Sequence, residues 1–389
     1  MTVRDVAAAP PRVPPPDPRL PALTRMLDAA AAFQLLRRVL GFDPDGVRIE
    51  AVRYKPGRRL VVQYEVAAGA RIVTAVALAD SKLDLRRLAR APGVTWDPVL
   101  DCLVQRWPHD AALPTLALPR DELAGRLGVD RGVHRPELLG YKPFARATLR
   151  FGRHVAKLYA SNEKWRGAAD ALDRVTHEGL TAASLEGAAA DLRATVQHFV
   201  EGSVPDGSEV AGPAATLLRR LHALETRGLL RRQAADRLDE AARAATLVGT
   251  LVPALEPRLE ALLRTLARRM PPDSRYLTTH GDFEPGQLIA GTAGLTLVDV
   301  DDLCAASPAD DLGRYAAHSV RGEEGDLEAL REVVASLVAG YGARPEGLDW
   351  YVAVSILARA ASPFRRQDPE WPERVEAFVS VAQHAAEAA

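Results

Sequence analysis

The feature that most constrains the fold is an internal repeat. Tyr54-Lys55-Pro56-Gly57-Arg58-Arg59 recurs as Tyr141-Lys142-Pro143-Phe144-Ala145-Arg146. Turn residues inside an alternating apolar run mark a β-hairpin. Val47 to Ala67 alternates in this way around the first copy, and Arg71 to Leu78 reads as a third strand. The second copy is likewise followed by a strand, a Gly-containing turn and another strand. This shared order beyond the short motif favours duplication of a hairpin unit. Setting Arg71 against Arg153 pairs Val73 with Val155 and Ala75 with Lys157, so only the second copy carries a mid-strand lysine.

The rest of the chain divides around the two copies. Residues 1–20, with Pro10-Pro11 and Pro14-Pro15-Pro16, read as a disordered tail. Residues 21–40 read as one amphipathic helix, with Leu23, Met26, Leu27, Phe33, Leu36 and Leu40 on one side and Gly41 as its stop. Arg120 to Leu127 is a short helix, and Ser161-Asn162 can cap another through Trp165, Ala169 and Leu172. Leu192 to Val200 reads as a strand. From Ala214 to Met270 the apolar period is helical. Tyr276 to Thr279 is a short strand, with Leu295 to Val300 as its partner across Gly291 and Gly294, and the chain from Asp310 onward is mostly helical. The boundaries that follow are 21–130 for an N-terminal extension with a degenerate hairpin copy, 131–202 for a second β-rich part, and 203–389 for a helical part.

Composition excludes several classes. A formal net charge of -1 gives no global attraction to nucleic acid or an anionic membrane, and 5% aromatic content is poor for base stacking. Cys102 and Cys304 form neither a metal-spaced cluster nor a disulfide framework, which fits a reducing cytoplasm. No apolar run is long enough to span a bilayer, and the N-terminus lacks the apolar region of a signal peptide.

The chemistry concentrates in His280-Gly281-Asp282-Phe283-Glu284-Pro285-Gly286-Gln287 and the later Leu295-Thr296-Leu297-Val298-Asp299-Val300-Asp301. Asp282 follows a strand, Gln287 brings an amide oxygen, and Asp299 brings a second carboxylate. This set suits phosphoryl transfer. One carboxylate orients a substrate hydroxyl, while the amide oxygen and the other carboxylate hold Mg²⁺ against the phosphates.

With these motifs the chain resembles the aminoglycoside phosphotransferase family, whose fold is protein-kinase-like. His280-Gly281-Asp282, then Val298-Asp299-Val300-Asp301, then Ser307-Pro308 and Asp311-Leu312-Gly313 follow the family's order and spacing over roughly residues 131 to 389. Lys-Pro-Gly-Arg-Arg in an extended N-terminal part is also similar to maltokinase-like members and kinases of sugar-related clusters. The resemblance implies an α+β, two-lobe fold with a β-rich N-terminal lobe and a helical C-terminal lobe. Leu192 to Gly202 would be the hinge. It implies Asp282 as the catalytic residue, Lys157 on the α/β-phosphates, and Gln287 and Asp299 as metal ligands. His280 and Asp311 would support the loop. ATP or GTP with Mg²⁺ would phosphorylate the hydroxyl of an aminoglycoside, a sugar or a related natural product.

The sequence departs from the family in two places. The family's Asn is Gln287 here, one methylene longer. No glutamate stands clearly opposite the lysine, and Glu163, Asp170 and Asp173 are all candidates. A Gly-x-Gly-x-x-Gly loop is also lacking. Asp301 is a candidate metal neighbour, and Lys142 and Arg146 are equally readable as phosphate contacts or a solvated hairpin tip. Two other classes stay open: a nucleotide-binding pseudokinase, and a metal-dependent hydrolase using Asp282, Asp299, Asp301 and Asp302. An acidic acceptor wall would draw on Glu323, Glu324, Asp326, Asp368, Glu370 and Glu373.

Overall fold

A computed structural model describes residues 13–66, 71–79, 86–129 and 136–389. The chain forms two compact units. The first gathers the described residues of 1–111 with 243–259 and 359–378, and the second comprises 112–242, 260–358 and 379–389. Two segments from the helical half therefore belong to the N-terminal unit, which contiguous boundaries at 130 and 202 do not anticipate. Among the described residues no helix is long and apolar enough to cross a membrane.

The first unit is built on an antiparallel sheet of β1 (Val47–Lys55), β2 (Arg59–Val66), β3 (Arg71–Leu78), β4 (Val94–Asp97) and β5 (Cys102–Arg106), in the order β1-β2-β3-β5-β4. Leu60, Val61, Val62 and Tyr64 of β2 are all buried, so this strand is covered on both faces. The helix Ala29–Leu40 buries Ala32, Leu35 and Leu36. Phe364 meets Tyr54 of β1 edge-on, with ring centroids 6.4 Å apart. Arg38 forks onto Asp97 at 2.8 and 3.0 Å, tying the helix to β4.

The helix over 21–40 is broken into Leu23–Leu27 and Ala29–Leu40, because Asp28 is extended and caps the second piece through Ala31 N at 2.8 Å. The break resets the helical phase, so Leu35 rather than Phe33 or Leu40 is fully buried. The disordered tail was expected to reach residue 20, but residues 13–20 are ordered against the sheet; residues 1–12 lie outside the described residues. Asp17 accepts from the Tyr54 hydroxyl and Gly57 N, both at 2.7 Å, and clamps the β1–β2 turn. Burial alone would raise its carboxyl, but these bonds hold it below the ordinary carboxylate value.

The second unit repeats the sheet with β6 (Glu137–Lys142), β7 (Arg146–Phe151), β8 (His154–Tyr159), β9 (Leu185–Ala189) and β10 (Ala194–His198), in the order β6-β7-β8-β10-β9. The repeat is thus a whole five-stranded sheet. β4, β5 and β9 escape the sequence reading: β4 and β5 have only four and five residues, and β9 reads Leu-Glu-Gly-Ala-Ala, without β-branched residues. The register also corrects the alignment of the copies. Arg59 and Arg146 both open the second strand opposite a lysine, and Val61 faces Val76 as Thr148 faces Lys157. Val76, not Ala75, therefore stands where the second copy has Lys157.

The helix Asn162–His177, capped by Ser161, separates β8 from β9, and helices from Ala211 onward make up the rest. Two small two-stranded sheets carry the motif loops. β11 (Leu277–Thr279) pairs with β14 (Cys304–Ala306), and β12 (Leu288–Gly291) pairs with β13 (Gly294–Leu297). The expected pairing of Tyr276–Thr279 with Leu295–Val300 is replaced, because the turn ending at Gly294, with φ 102°, folds β13 back onto its sequence neighbour.

Asp17→Ala removes three hydrogen bonds and leaves a buried tyrosine hydroxyl unpaired. It should lower stability by about 1–3 kcal/mol, read from urea unfolding. Because the folded carboxyl is depressed, this contribution is present above the unfolded value and is lost as pH falls through the folded one. The parent should therefore lose its advantage over Asp17→Ala in acid.

Candidate active site

The loop after β11 is held by one buried carboxylate. Asp311, near the start of the helix Pro308–Ala317, accepts from His280 N at 2.7 Å and Gly281 N at 3.0 Å. His222 Nε2 lies 3.1 Å away and must donate, since a carboxylate only accepts. Burial alone would raise the Asp311 carboxyl, but the His222 bond and nearby charge keep it below its ordinary value. Gly281 has φ 81°, and a Cβ there would sit 2.2 Å from the Asp302 carbonyl oxygen. Only glycine allows the two motif loops to approach this closely. His280 Nε2 donates to Val298 O at 3.1 Å, a second link between the loops.

Asp282 projects from this turn with 53% of its side chain exposed. Arg314 donates to its Oδ1 at 3.0 Å and also reaches Glu240 Oε2 at 3.3 Å. Behind it, buried Arg237 pairs with Asp310 at 2.8 Å and with Glu240. The surrounding protein pushes the Asp282 carboxyl above its ordinary value. Arg314 pulls it down, and Glu284 and Asp302 push it up again.

The end of the β12–β13 hairpin brings Gln287 beside Asp299. Val298 N donates to Gln287 O at 2.9 Å, one step beyond the ladder. Gln287 is 8% exposed, and its side chain makes no hydrogen bond among the described residues. Asp299 is left-handed, with φ 59° and ψ 46°, a conformation Asp adopts more readily than most residues.

A four-residue ion cluster surrounds Asp299. Lys157 Nζ donates to Asp299 Oδ1 at 2.6 Å and Asp301 Oδ1 at 2.9 Å. Arg146 forks onto Asp299 at 2.9 and 3.0 Å and reaches Asp301 Oδ2 at 2.5 Å. The Tyr159 hydroxyl donates to Asp301 Oδ2 at 2.9 Å. Burial alone would raise the Asp299 carboxyl, but Lys157 and Arg146 hold it well below the carboxylate range. The acidic partners of Lys157 are thus Asp299 and Asp301, and the lysine bonds none of Glu163, Asp170 and Asp173. Lys164, in the first turn of that same helix, pairs instead with Asp302 at 2.8 Å.

The sequence reading passed over Tyr159, Lys164, Arg314, Glu240 and Asp310. Arg314 had a signal, three residues after Asp311 and so one helical turn along. Arg146 had another, at the register position shared by the two hairpins.

Hard oxygen donors suit Mg²⁺, and the carboxylate of Asp299 with the unbonded amide oxygen of Gln287 is such a pair. In the described residues no three His, Cys, Asp or Glu side chains group to hold a metal by themselves. A divalent ion here would need oxygens from another source, as phosphates supply.

A kinase-like α+β protein is defined by this arrangement: a five-stranded antiparallel sheet carrying a lysine, followed by helices that hold an anchored Asp loop and an acidic hairpin. Residues 140–351, more than half of the chain, match the phosphotransferase enzyme family, and the chain belongs to it. It is an enzyme that transfers phosphate to an alcohol group.

Among curated proteins none matches this chain. Several solved structures are similar to it. The aminoglycoside phosphotransferase APH(3'')-Id from Streptomyces rimosus ATCC10970 is 18% identical, with 58% of this chain and 94% of that one covered and a TM-score of 0.47. A choline/ethanolamine kinase family protein from Mesorhizobium loti is 15% identical, with 72% and 98% covered and a TM-score of 0.48. The macrolide 2'-phosphotransferase MphH from Brachybacterium faecium is 19% identical, with 68% and 95% covered and a TM-score of 0.44. At these values no acceptor carries over to this chain.

Arg314→Gln removes the positive charge that favours ionised Asp282. The Asp282 carboxyl then rises further, so the acid limb of the kcat/KM–pH profile should move to higher pH. An unmoved limb would show that Asp282 is not the group titrating there.

Proposed function

We propose that the chain transfers the γ-phosphoryl group of ATP or GTP to a hydroxyl of a small polar molecule, in the reducing cytoplasm that its isolated cysteines suit. The observation that carries this reading is the ion cluster: a sheet lysine bonded to the hairpin carboxylate, with Asp282 open to solvent on an anchored turn. The acceptor oxygen would attack the γ-phosphorus, Asp282 would take the hydroxyl proton, and the bond to the leaving nucleoside diphosphate would break. Lys157 would move its bonds to phosphate oxygens. Asp299 and Gln287 would hold Mg²⁺, whose charge offsets that on the phosphates. His280 and Asp311 would keep the turn in place.

For the acceptor, the best-supported place is a cleft of about 590 Å³ beside the same loop. Pro285 and Tyr315 border it, with Asp206, Glu323, Glu324, Arg321 and His318 on its walls. Of the acidic residues expected to form a wall, Asp326 also lines it, but its carboxylate is occupied by the backbone N–H groups of Arg321, Gly322 and Glu323. Asp368, Glu370 and Glu373 are not among the lining residues. The walls are polar and of mixed charge, which supports a sugar, an aminoglycoside or a related natural-product alcohol. The hydrolase reading gains nothing from the geometry, since among the described residues no three carboxylate, histidine or cysteine side chains gather to hold a metal.

The test is a screen of hydroxyl compounds reading ADP or GDP release with and without Mg²⁺. Asp282→Ala should leave nucleotide affinity nearly intact and lower turnover by roughly 10²- to 10⁴-fold, the range for a lost acid–base group. Lys157→Ala should weaken nucleotide binding, measured by calorimetry, while Lys55→Ala should not. Full turnover in Asp282→Ala would remove that residue from the mechanism.

The metal reading has its own test. Gln287→Asn should keep most turnover and Gln287→Ala should lose most of it, with Mn²⁺ supporting the parent better than Mg²⁺. Asp299→Ala should be worse than Gln287→Ala because it removes a charge as well as a ligand. A metal titration in which Gln287→Ala matched the parent would make the residue a bystander.

A further inference from the structure

We propose that Arg146 is a built-in cation that closes the Asp299 site, taking in the nucleotide-free protein the place a divalent metal would take. The inference rests on the reading of Asp299 as a metal ligand and goes beyond it. Metal and Arg146 then exclude each other, and metal enters only as Arg146 leaves.

Asp299 Oδ1 is held by both Lys157 and Arg146, but Oδ2 is held by Arg146 alone, at 3.0 Å. Departure of Arg146 would bare that oxygen and leave the rest of the cluster standing. Asp301 would keep Lys157 on Oδ1 and the Tyr159 hydroxyl on Oδ2. Charge points the same way. Two cations face two carboxylates, so the cluster is neutral, and a dication added beside Arg146 would meet like charge at close range.

The side chains also differ in freedom. Arg146 is 31% exposed and opens β7 directly after a hairpin turn, so it has a route outward. Lys157 is 7% exposed and sits mid-strand. The first sheet shows that a hairpin of this design does not need the ion pair to fold. Arg59 holds the same register position there, and its side chain makes no ion pair among the described residues. The phosphates of a nucleotide would offer the displaced guanidinium a bidentate partner. Metal should therefore arrive with nucleotide far more readily than alone.

The experiment titrates the nucleotide-free protein with Mn²⁺ and follows free Mn²⁺ by electron paramagnetic resonance. The parent should bind weakly. Arg146→Met should bind about tenfold tighter or more, since Oδ2 is bare and a like charge is gone. Arg146→Lys, which keeps the charge but not the fork, should fall between them. Arg146→Met with Asp299→Asn should return to weak binding. Thermal unfolding of each variant checks that it is folded, and Arg146→Lys carries the comparison if Arg146→Met is not. If folded Arg146 variants bind Mn²⁺ no better than the parent, while Asp299→Asn still abolishes what binding there is, the plug is wrong and Asp299 remains a ligand. If binding tightens equally with and without Asp299, the metal lies elsewhere, and the reading of Asp299 falls together with the proposal.

Discussion

Everything distinctive about this site depends on the ion cluster of Lys157, Arg146, Asp299 and Asp301. Two of its members come from adjacent sheet strands and two from a hairpin end about 140 residues later in the chain. Partly buried charges are costly to desolvate, and such a cluster is tolerable only when each member is paired and hydrogen-bonded. That requirement is met here, with Tyr159 supplying a further donor. The cluster therefore fixes where the hairpin end sits against the sheet, and it holds Asp299 in a left-handed conformation that costs energy by itself. Loss of any one member would leave an uncompensated charge on the others.

A second set of charges sits on the other side of the loop, around the helix Pro308–Ala317. Asp311 ties down the turn, and Arg314 reaches the carboxylate that the turn presents. Asp310 and Arg237 brace Arg314 from below. The two sets give neighbouring carboxylates opposite characters. Asp299 lies well below the ordinary carboxylate value because two cations outweigh its burial, whereas Asp282 lies above it because one arginine does not. A metal ligand must stay ionised and a general base must be able to take a proton, so the environments suit different tasks.

The two sheets show which parts of a duplicated unit recur and which do not. Strand order, hairpin register and the arginine that opens the second strand recur in both. The lysine does not recur, and Val76 fills its place as a buried strand residue. Valine is a good strand former, so the sheet persists without the charge.

Much was legible in the chain itself. The repeated Tyr-Lys-Pro motif, the alternating strands after each copy and the helical period beyond residue 214 depend on local backbone preference, which short segments carry alone. The His-Gly-Asp loop and the acidic hairpin were legible for the same reason, since their chemistry lies in contiguous residues. Other features waited for the tertiary structure. The register that sets Val76 against Lys157 depends on hairpin geometry, and a different residue count between strands misaligned the copies. Residues 243–259 and 359–378 join the first unit through packing that no local pattern encodes. The partners of Lys157 lay beyond sequence for the strongest reason. Helix-borne Glu163, Asp170 and Asp173 and hairpin-borne Asp299 and Asp301 carry the same charge, and only their distances, set by the whole fold, decide between them.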